Sequence, residues 1–456
     1  MEQKINNFTE GPILGPLLRF SLPVLLALLL QSLYGAVDLL IVGKFAATQD
    51  VSGVSVGSQL MMTASSFVSS MAMGTTILLG QRIGMGDEKS GGRIIGATVV
   101  LFVGIGAVLT AALPIFSGAL AEAMNAPVEA FRETQQYIMI CGFGSVMIVA
   151  YHIFGGILRG LGDSKTPLMT VAIACVCNIL ADLLLVAVFH MGAAGAAIAT
   201  VGSQTVSVLI SLWVLSRRKL PFEFSLRDIV RPDWRMLGRI VRFGTPIALQ
   251  DFMVGFSFLV NLSFVNKLGL NASAGVGVAE KVCMIIMLVP IAFMQSMSAY
   301  VAQNYGAGRI DRAVKGLRIT IGLSVAFGTV MGCLAFFRGD LLCSIFARDP
   351  GVIDAGFEYL RAYGIDCLLT SFLFCFVGYF NGLGKTGFVM IQGIVSAFAV
   401  RIPVAYLMST RVGTLFSIGL SVPISTFSQI VMCFIFFAIV RKQDRARLTD
   451  PQAEQA

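Results

Sequence analysis

The chain has 456 residues, 56% of them hydrophobic and only 13% charged, with a formal net charge of +8. Soluble domains carry about 25% charged residues, so this composition, with a mean hydropathy of +0.83, excludes a soluble globular protein. Two histidines, nine scattered cysteines and no CxxC, HExxH or GxSxG motif point away from a zinc site, a disulfide framework and an enzyme.

In chain order, the polar start MEQKINNFTEGP lacks the marks of a cleaved signal peptide, so the first apolar helix is expected to persist. Twelve apolar runs follow, at 16–44, 52–79, 93–119, 131–159, 166–190, 193–216, 238–267, 274–302, 314–337, 356–384, 388–409 and 413–440. Each can cross a hydrocarbon core of about 30 Å, which takes about 20 helical residues. The longest polar connection, RRKLPFEFSLRDIVRPDWRML, parts them into two sets of six. The expected fold is therefore an all-α polytopic membrane protein in two six-helix lobes. These are an N-terminal lobe at 1–216, a linker at 217–237, a C-terminal lobe at 238–441 and a tail at 442–456.

Basic residues set the orientation. Arg82, Lys89, Arg93, Arg159, Lys165, the central Arg217, Arg218, Lys219, Arg227, Arg231 and Arg235, then Arg309, Arg312, Lys315, Arg318 and the terminal Arg441, Lys442, Arg445 and Arg447 all fall on one side. That side is cytoplasmic, with both termini inside, in a bacterial inner membrane. The positive charge then needs no nucleic-acid partner.

The two halves repeat. Gln81, Gly84 and Gly86 recur as Gln303, Gly306 and Gly308, an offset of 222 (303 − 81). Gly160-Leu161-Gly162 recurs as Gly382-Leu383-Gly384, and Gly53, Val54 and Val56 as Gly275, Val276 and Val278, at the same offset. Pro23 pairs with Pro246 one residue further on. Even-numbered repeats enter and leave on one side, so a pseudo-two-fold axis along the membrane normal is expected, with alternating access between halves.

Charges inside the spans mark function. A carboxylate at a bilayer centre costs about 2.5–3.5 kcal/mol on mild insertion scales, yet Asp38 and Asp182 sit in long apolar runs. Gln31, Tyr34 and Asp38 share one helix face, as do Asn178 and Asp182. At 1.5 Å per residue, Asp38, Asp182 and Thr200 all lie roughly 10–12 Å below the outer surface. Carboxylate, amide and hydroxyl oxygens suit a hard cation such as Na⁺, and two close carboxylates in a dry pocket repel unless a proton or cation neutralises one. Either way the pattern is that of a coupling-ion site. At the repeat offset, Asn178, Asp182 and Thr200 map to Val400, Val404 and Val422, so the scaffold is duplicated and the site is not. Helix-to-helix hydrogen bonding is the ordinary alternative, but a neutral Asn or Ser would serve it with less desolvation.

At these residues the chain resembles the multidrug and toxic compound extrusion (MATE) family, in its DinF-like or a related bacterial branch. The resemblance covers all twelve spans and rests on Pro23, Gln31, Tyr34 and Asp38, on Asn178 and Asp182, on Thr200, and on the paired GQRIGMGD and AQNYGAGR loops. It implies a monomeric antiporter, without cofactor, that exports cationic amphipathic drugs in exchange for H⁺ or Na⁺. It also implies a cation site of Asp38, Asn178, Asp182 and Thr200, and a bend at Pro23. NorM-like members carry further acids in the second half, with which Asp251 and Asp366 do not align; Glu280, Lys281 and Arg401 stay unassigned. A lipid-linked precursor flippase of the same superfamily, for which Arg401 is a starting point, and a channel are the competing readings.

Overall fold

The computed structural model describes residues 8–87, 89–217, 222 and 224–449. Parts of the expected linker (218–221 and 223), with Arg218 and Lys219, lie outside the described residues, as do residues 1–7 and the end of the tail from 450. The side chains of Arg445 and Arg447 lie outside them too.

Among the described residues, eleven helices are long and apolar enough to span, and a bent pair makes up to twelve. They are α1 (Leu14–Phe45), α2 (Thr48–Gly84), α3 (Ser90–Ile115), the bent α4 (Val128–Phe143 with Ser145–Gly160), α5 (Lys165–Val188) and α6 (Gly192–Arg217). Then come α7 (Trp234–Leu268), α8 (Leu270–Gly306), α9 (Ile310–Ser344), α10 (Pro350–Gly382), α11 (Thr386–Arg411) and α12 (Leu415–Gln443). The all-helical polytopic architecture and the span positions agree with the apolar runs, because a lipid-embedded backbone must satisfy its own hydrogen bonds. The most apolar window of α1 is only 17% buried, and leucines such as Leu22, Leu33 and Leu40 point outward, as lipid-facing residues do.

Three local departures were invisible to hydropathy. The span expected at 131–159 is broken at Gly144 by 58°; a Cβ there would meet Val201 Cγ1 at 2.4 Å, so glycine lets α6 approach the bend. In α5, Leu183–Val188 forms a π-helical turn, and Ser396–Arg401 forms another in α11. Such turns concentrate at functional sites.

Contacts divide the chain into two compact units. The first runs through Leu249 and takes in Gln295–Gly316 and Asn381–Thr386; the second comprises Gln250–Met294, Leu317–Phe380 and the chain from Gly387. Among the described residues the first has apolar cores around Leu78, Ile94, Phe102 and Ile157 and around Val42, Val54, Ile138 and Ala196, with a smaller one of Met73, Ile77 and Ile247. The second is built around Val276, Cys283, Leu360 and Cys367, with a phenylalanine stack of Phe388 on Phe436 beside Phe380.

The repeat is written into the contacts of the first unit. A Cβ on Gly84 would come to 1.9 Å from the Gln303 carbonyl oxygen, and one on Gly306 to 1.9 Å from that of Gln81. Gln81 Nε2 donates to Gly382 O at 3.0 Å, and Gln303 Nε2 to Gly160 O at 3.2 Å. Partners exchange under the offset read from the sequence, as a two-fold relation requires. Gly86 and Gly308, at φ of 67° and 70°, terminate α2 and α8 in the left-handed region that only glycine adopts freely.

Candidate functional site

The site lies in the first unit, where α1, α5 and α6 pack together and α4 packs on α6. Heptad-like spacing puts Tyr34 and Asp38 on the α1 face turned to α5 and α6. Asp38 is 4% exposed, Asn178 and Asp182 are fully buried, and Thr200 is 9% exposed. The Asp38 and Asp182 carboxyls are electrostatic neighbours. Thr200 lies against the phenols of both Tyr34 and Tyr137, and Tyr34 Oη stands 3.5 Å from Ser203 Oγ.

This cluster is polar and buried. Among the described residues, Asp38 Oδ1, both Asp182 oxygens, the whole Asn178 amide and Thr200 Oγ1 have no well-aligned hydrogen-bond partner. Native proteins pair the great majority of buried polar atoms, and each exception calls for a reason such as a catalytic or ion-binding role. Oxygens from three helices with two formal charges fit a proton or a monovalent hard cation. Among the described residues no group of three His, Cys, Asp or Glu could hold a resident metal.

The structure brings together Tyr34, Asp38 and Thr200 around Asp182, with Asn178 on the same face of α5. Gln31 is turned away from the acids: its amide donates to Tyr151 Oη, and it lines a neighbouring cavity. Pro23 is buried inside an α1 that runs unbroken from Leu14 to Phe45. Its missing N–H leaves a carbonyl in the preceding turn without its helical donor.

Three contributors escaped the sequence reading. Tyr137 on α4 has electrostatic contact with Asp38 and Cys141; its repeat mate, Tyr359, was the available signal. Ser203 on α6 follows Thr200 by one turn short of a residue and is visible only once Tyr34 is placed. Asp50, in the first turn of α2, accepts the Ala193 N–H at 2.8 Å and so caps the start of the helix that carries Thr200. It also accepts from Ala47 N–H at 3.3 Å.

An all-helical, multi-pass fold with one unduplicated acidic pocket on a duplicated frame defines a secondary-transporter class. The chain belongs to the MatE family, whose model matches it twice, over residues 23–184 and 246–407. Membership places it among transporters, not enzymes. The two matches are displaced by 223 residues (246 − 23), the register of the proline pair. The chain is 28% identical over 441 residues to the probable multidrug resistance protein YpnP of Bacillus subtilis, covering 95% of this chain and 97% of that one. It is 28% identical over 403 residues to the probable multidrug resistance protein YoeA of the same organism, 86% of each chain being covered. Among solved structures, a MATE in the straight conformation superposes with a TM-score of 0.89 at 20% identity, covering 98% of this chain and 100% of that one.

Proposed function

We propose that the chain is a secondary active multidrug antiporter of the bacterial inner membrane. It exports cationic or amphipathic small molecules in exchange for H⁺ or Na⁺ by alternating access. The observation that carries this reading is the apposed, buried and unpartnered Asp38–Asp182 pair with Asn178 and Thr200 beside it. The Bacillus subtilis relatives, probable multidrug resistance proteins, support the substrate class.

In this reading the outward-open protein loads a cation between the carboxylates. Their charge is neutralised, α1 repacks or bends at Pro23, and drug is released outward. A ligand shifts such an equilibrium only by its differential affinity for the two states. Two lobes, 1–216 and 238–441, work as the moving halves of a monomer with both termini cytoplasmic. A single dominant cation site in the first lobe is what favours the DinF-like or a related bacterial branch.

The test is ethidium efflux from proteoliposomes under an imposed pH gradient, then under an imposed Na⁺ gradient. Asp38→Asn and Asp182→Asn should each abolish gradient-driven efflux while the protein still inserts. Replacing Val400 or Val404, the repeat equivalents, should matter less. Full efflux in both aspartate variants would overturn the proposal.

A further inference from the structure

Beside the acid pair, the first unit holds a second polar cavity whose charge has the opposite sign. Arg159, in the last turn of α4, lines it together with Gln31, Tyr151, His152, Ser164 and Gln295. No Asp or Glu lines this cavity. Arg159 Nε and Ser164 Oγ are buried atoms without a partner, and no carboxylate among the described residues lies within ion-pair range of the guanidinium. Gly155 makes the room: a Cβ there would stand 3.1 Å from Arg159 Nη1. Val24, Leu28 and Val171 give the cavity an apolar wall.

Arg159 is half-buried, with its Nε enclosed; a partly buried charge without a partner is costly, and proteins pair or ligate such groups. The bland explanation, that Arg159 completes the end of α4 by binding its carbonyls, is not met at Nε, which has no partner. A guanidinium presents a planar fork of donors matched to carboxylate and phosphate. The Gln31 and Gln295 amides and the Ser164 hydroxyl add neutral polar groups around it.

We infer that this cavity binds the anionic head, carboxylate or phosphate, of an amphiphile whose apolar part lies along Val24, Leu28 and Val171. Identifying the occupant as cargo rests on the transport reading; the binding itself does not.

The test is equilibrium binding, with no gradient applied. Purified full-length protein in phosphatidylcholine nanodiscs is titrated with 11-(dansylamino)undecanoic acid, followed by dansyl fluorescence. Saturable binding is expected, weakened at least tenfold by Arg159→Gln and held within about threefold by Arg159→Lys. Gly155→Val, which crowds the guanidinium and leaves the charge, should also weaken binding and keeps the test decisive if Arg159→Gln fails to fold. Competition by dodecyl phosphate points to a soluble amphiphile, and competition by phosphatidylglycerol placed in the disc points to a lipid head group; either supports the site. Unchanged affinity in Arg159→Gln, equal binding of an amine-terminated analogue, or competition by neither anion would overturn it. Efflux can fail in the proteoliposome assay with this binding intact, and the reverse, so the two readings are separable.

Discussion

The reciprocal crossing of α2 and α8 gives the sharpest test of the repeat. In Gly84→Ala the new Cβ would stand 1.9 Å from the Gln303 carbonyl oxygen, whereas ordinary contact begins at 3.4 Å. The obstacle is backbone, so the helices must separate locally by about 1.5 Å (3.4 − 1.9). Overpacking of this kind costs about 1–3 kcal/mol. A gap of even 0.5–1 Å forfeits a quarter to a half of each dispersion contact it opens. The shift also strains Gln303 Nε2 to Gly160 O and Gln81 Nε2 to Gly382 O, each worth about 0.5–1.5 kcal/mol net. The expected loss is about 2–5 kcal/mol. Gly306→Ala makes the mirror clash with Gln81 O at the same distance, so its loss should match, and the double variant should cost less than the sum because one separation relieves both. Apparent unfolding midpoints of detergent-solubilised protein, followed by fluorescence-detected size exclusion, read this out. Gly43→Ala, with nothing within 4 Å of the new Cβ, is the neutral control. An unchanged midpoint in Gly84→Ala, or a severe Gly84→Ala beside a silent Gly306→Ala, would refute the reciprocal geometry.

Other outcomes follow from single contacts. Asp50→Ala removes the acceptor for the Ala193 N–H and should lower stability by about 1 kcal/mol, the usual worth of a helix cap, with Asp50→Asn partly restoring the midpoint. Tyr137→Phe takes away a phenol that faces Thr200; it should slow gradient-driven ethidium efflux several-fold and leave the unfolding midpoint nearly unchanged. Pro23→Ala returns a helical N–H to the preceding turn, so α1 should be more stable straight and efflux slower, with ethidium affinity at equilibrium unaltered.

Hydropathy and the repeat made most of the frame legible. Span ends such as 193–216 and 166–190 agree closely with Gly192–Arg217 and Lys165–Val188, because hydrocarbon thickness sets helix length and polar residues cannot be pulled inside. Asp38, Asp182 and Thr200 were readable because a charge in an apolar run is expensive and because depth follows from counting residues. Side-chain direction was less legible. Gln31 sits on the same helix face as Asp38, yet a residue from another helix, Tyr151, decides where its amide points. The break at Gly144 and the π turn after Asp182 arise from close packing, which leaves no periodic mark in one sequence. Cys333 is exposed whereas Cys283 and Cys343 are buried, since lipid accepts a thiol as readily as a protein interior does.

The second unit shows what duplication kept and what it discarded. Asn261 stands where the repeat places Asp38 and donates from Nδ2 to Tyr359 Oη at 3.4 Å; Tyr359 is the counterpart of Tyr137. The carboxylate and hydroxyl of Asp182 and Thr200 are replaced by Val404 and Val422. Into this pocket comes Arg401, 3% exposed, which donates to Ser257 Oγ at 3.0 Å and lies 4.2 Å from the centre of the Phe258 ring. Asp366, hydrogen-bonded by Thr370 at 2.9 Å, is within its electrostatic reach. A guanidinium stays charged at any physiological pH, and a tethered cation can be neither loaded nor released. The second pocket thus carries a fixed positive charge, held by Ser257 and the Phe258 ring. The two pockets differ in the sign of their charge, carboxylates at Asp38 and Asp182 in one and a guanidinium at Arg401 in the other, so the asymmetry of the two halves, more than their likeness, is what a functional account has to explain.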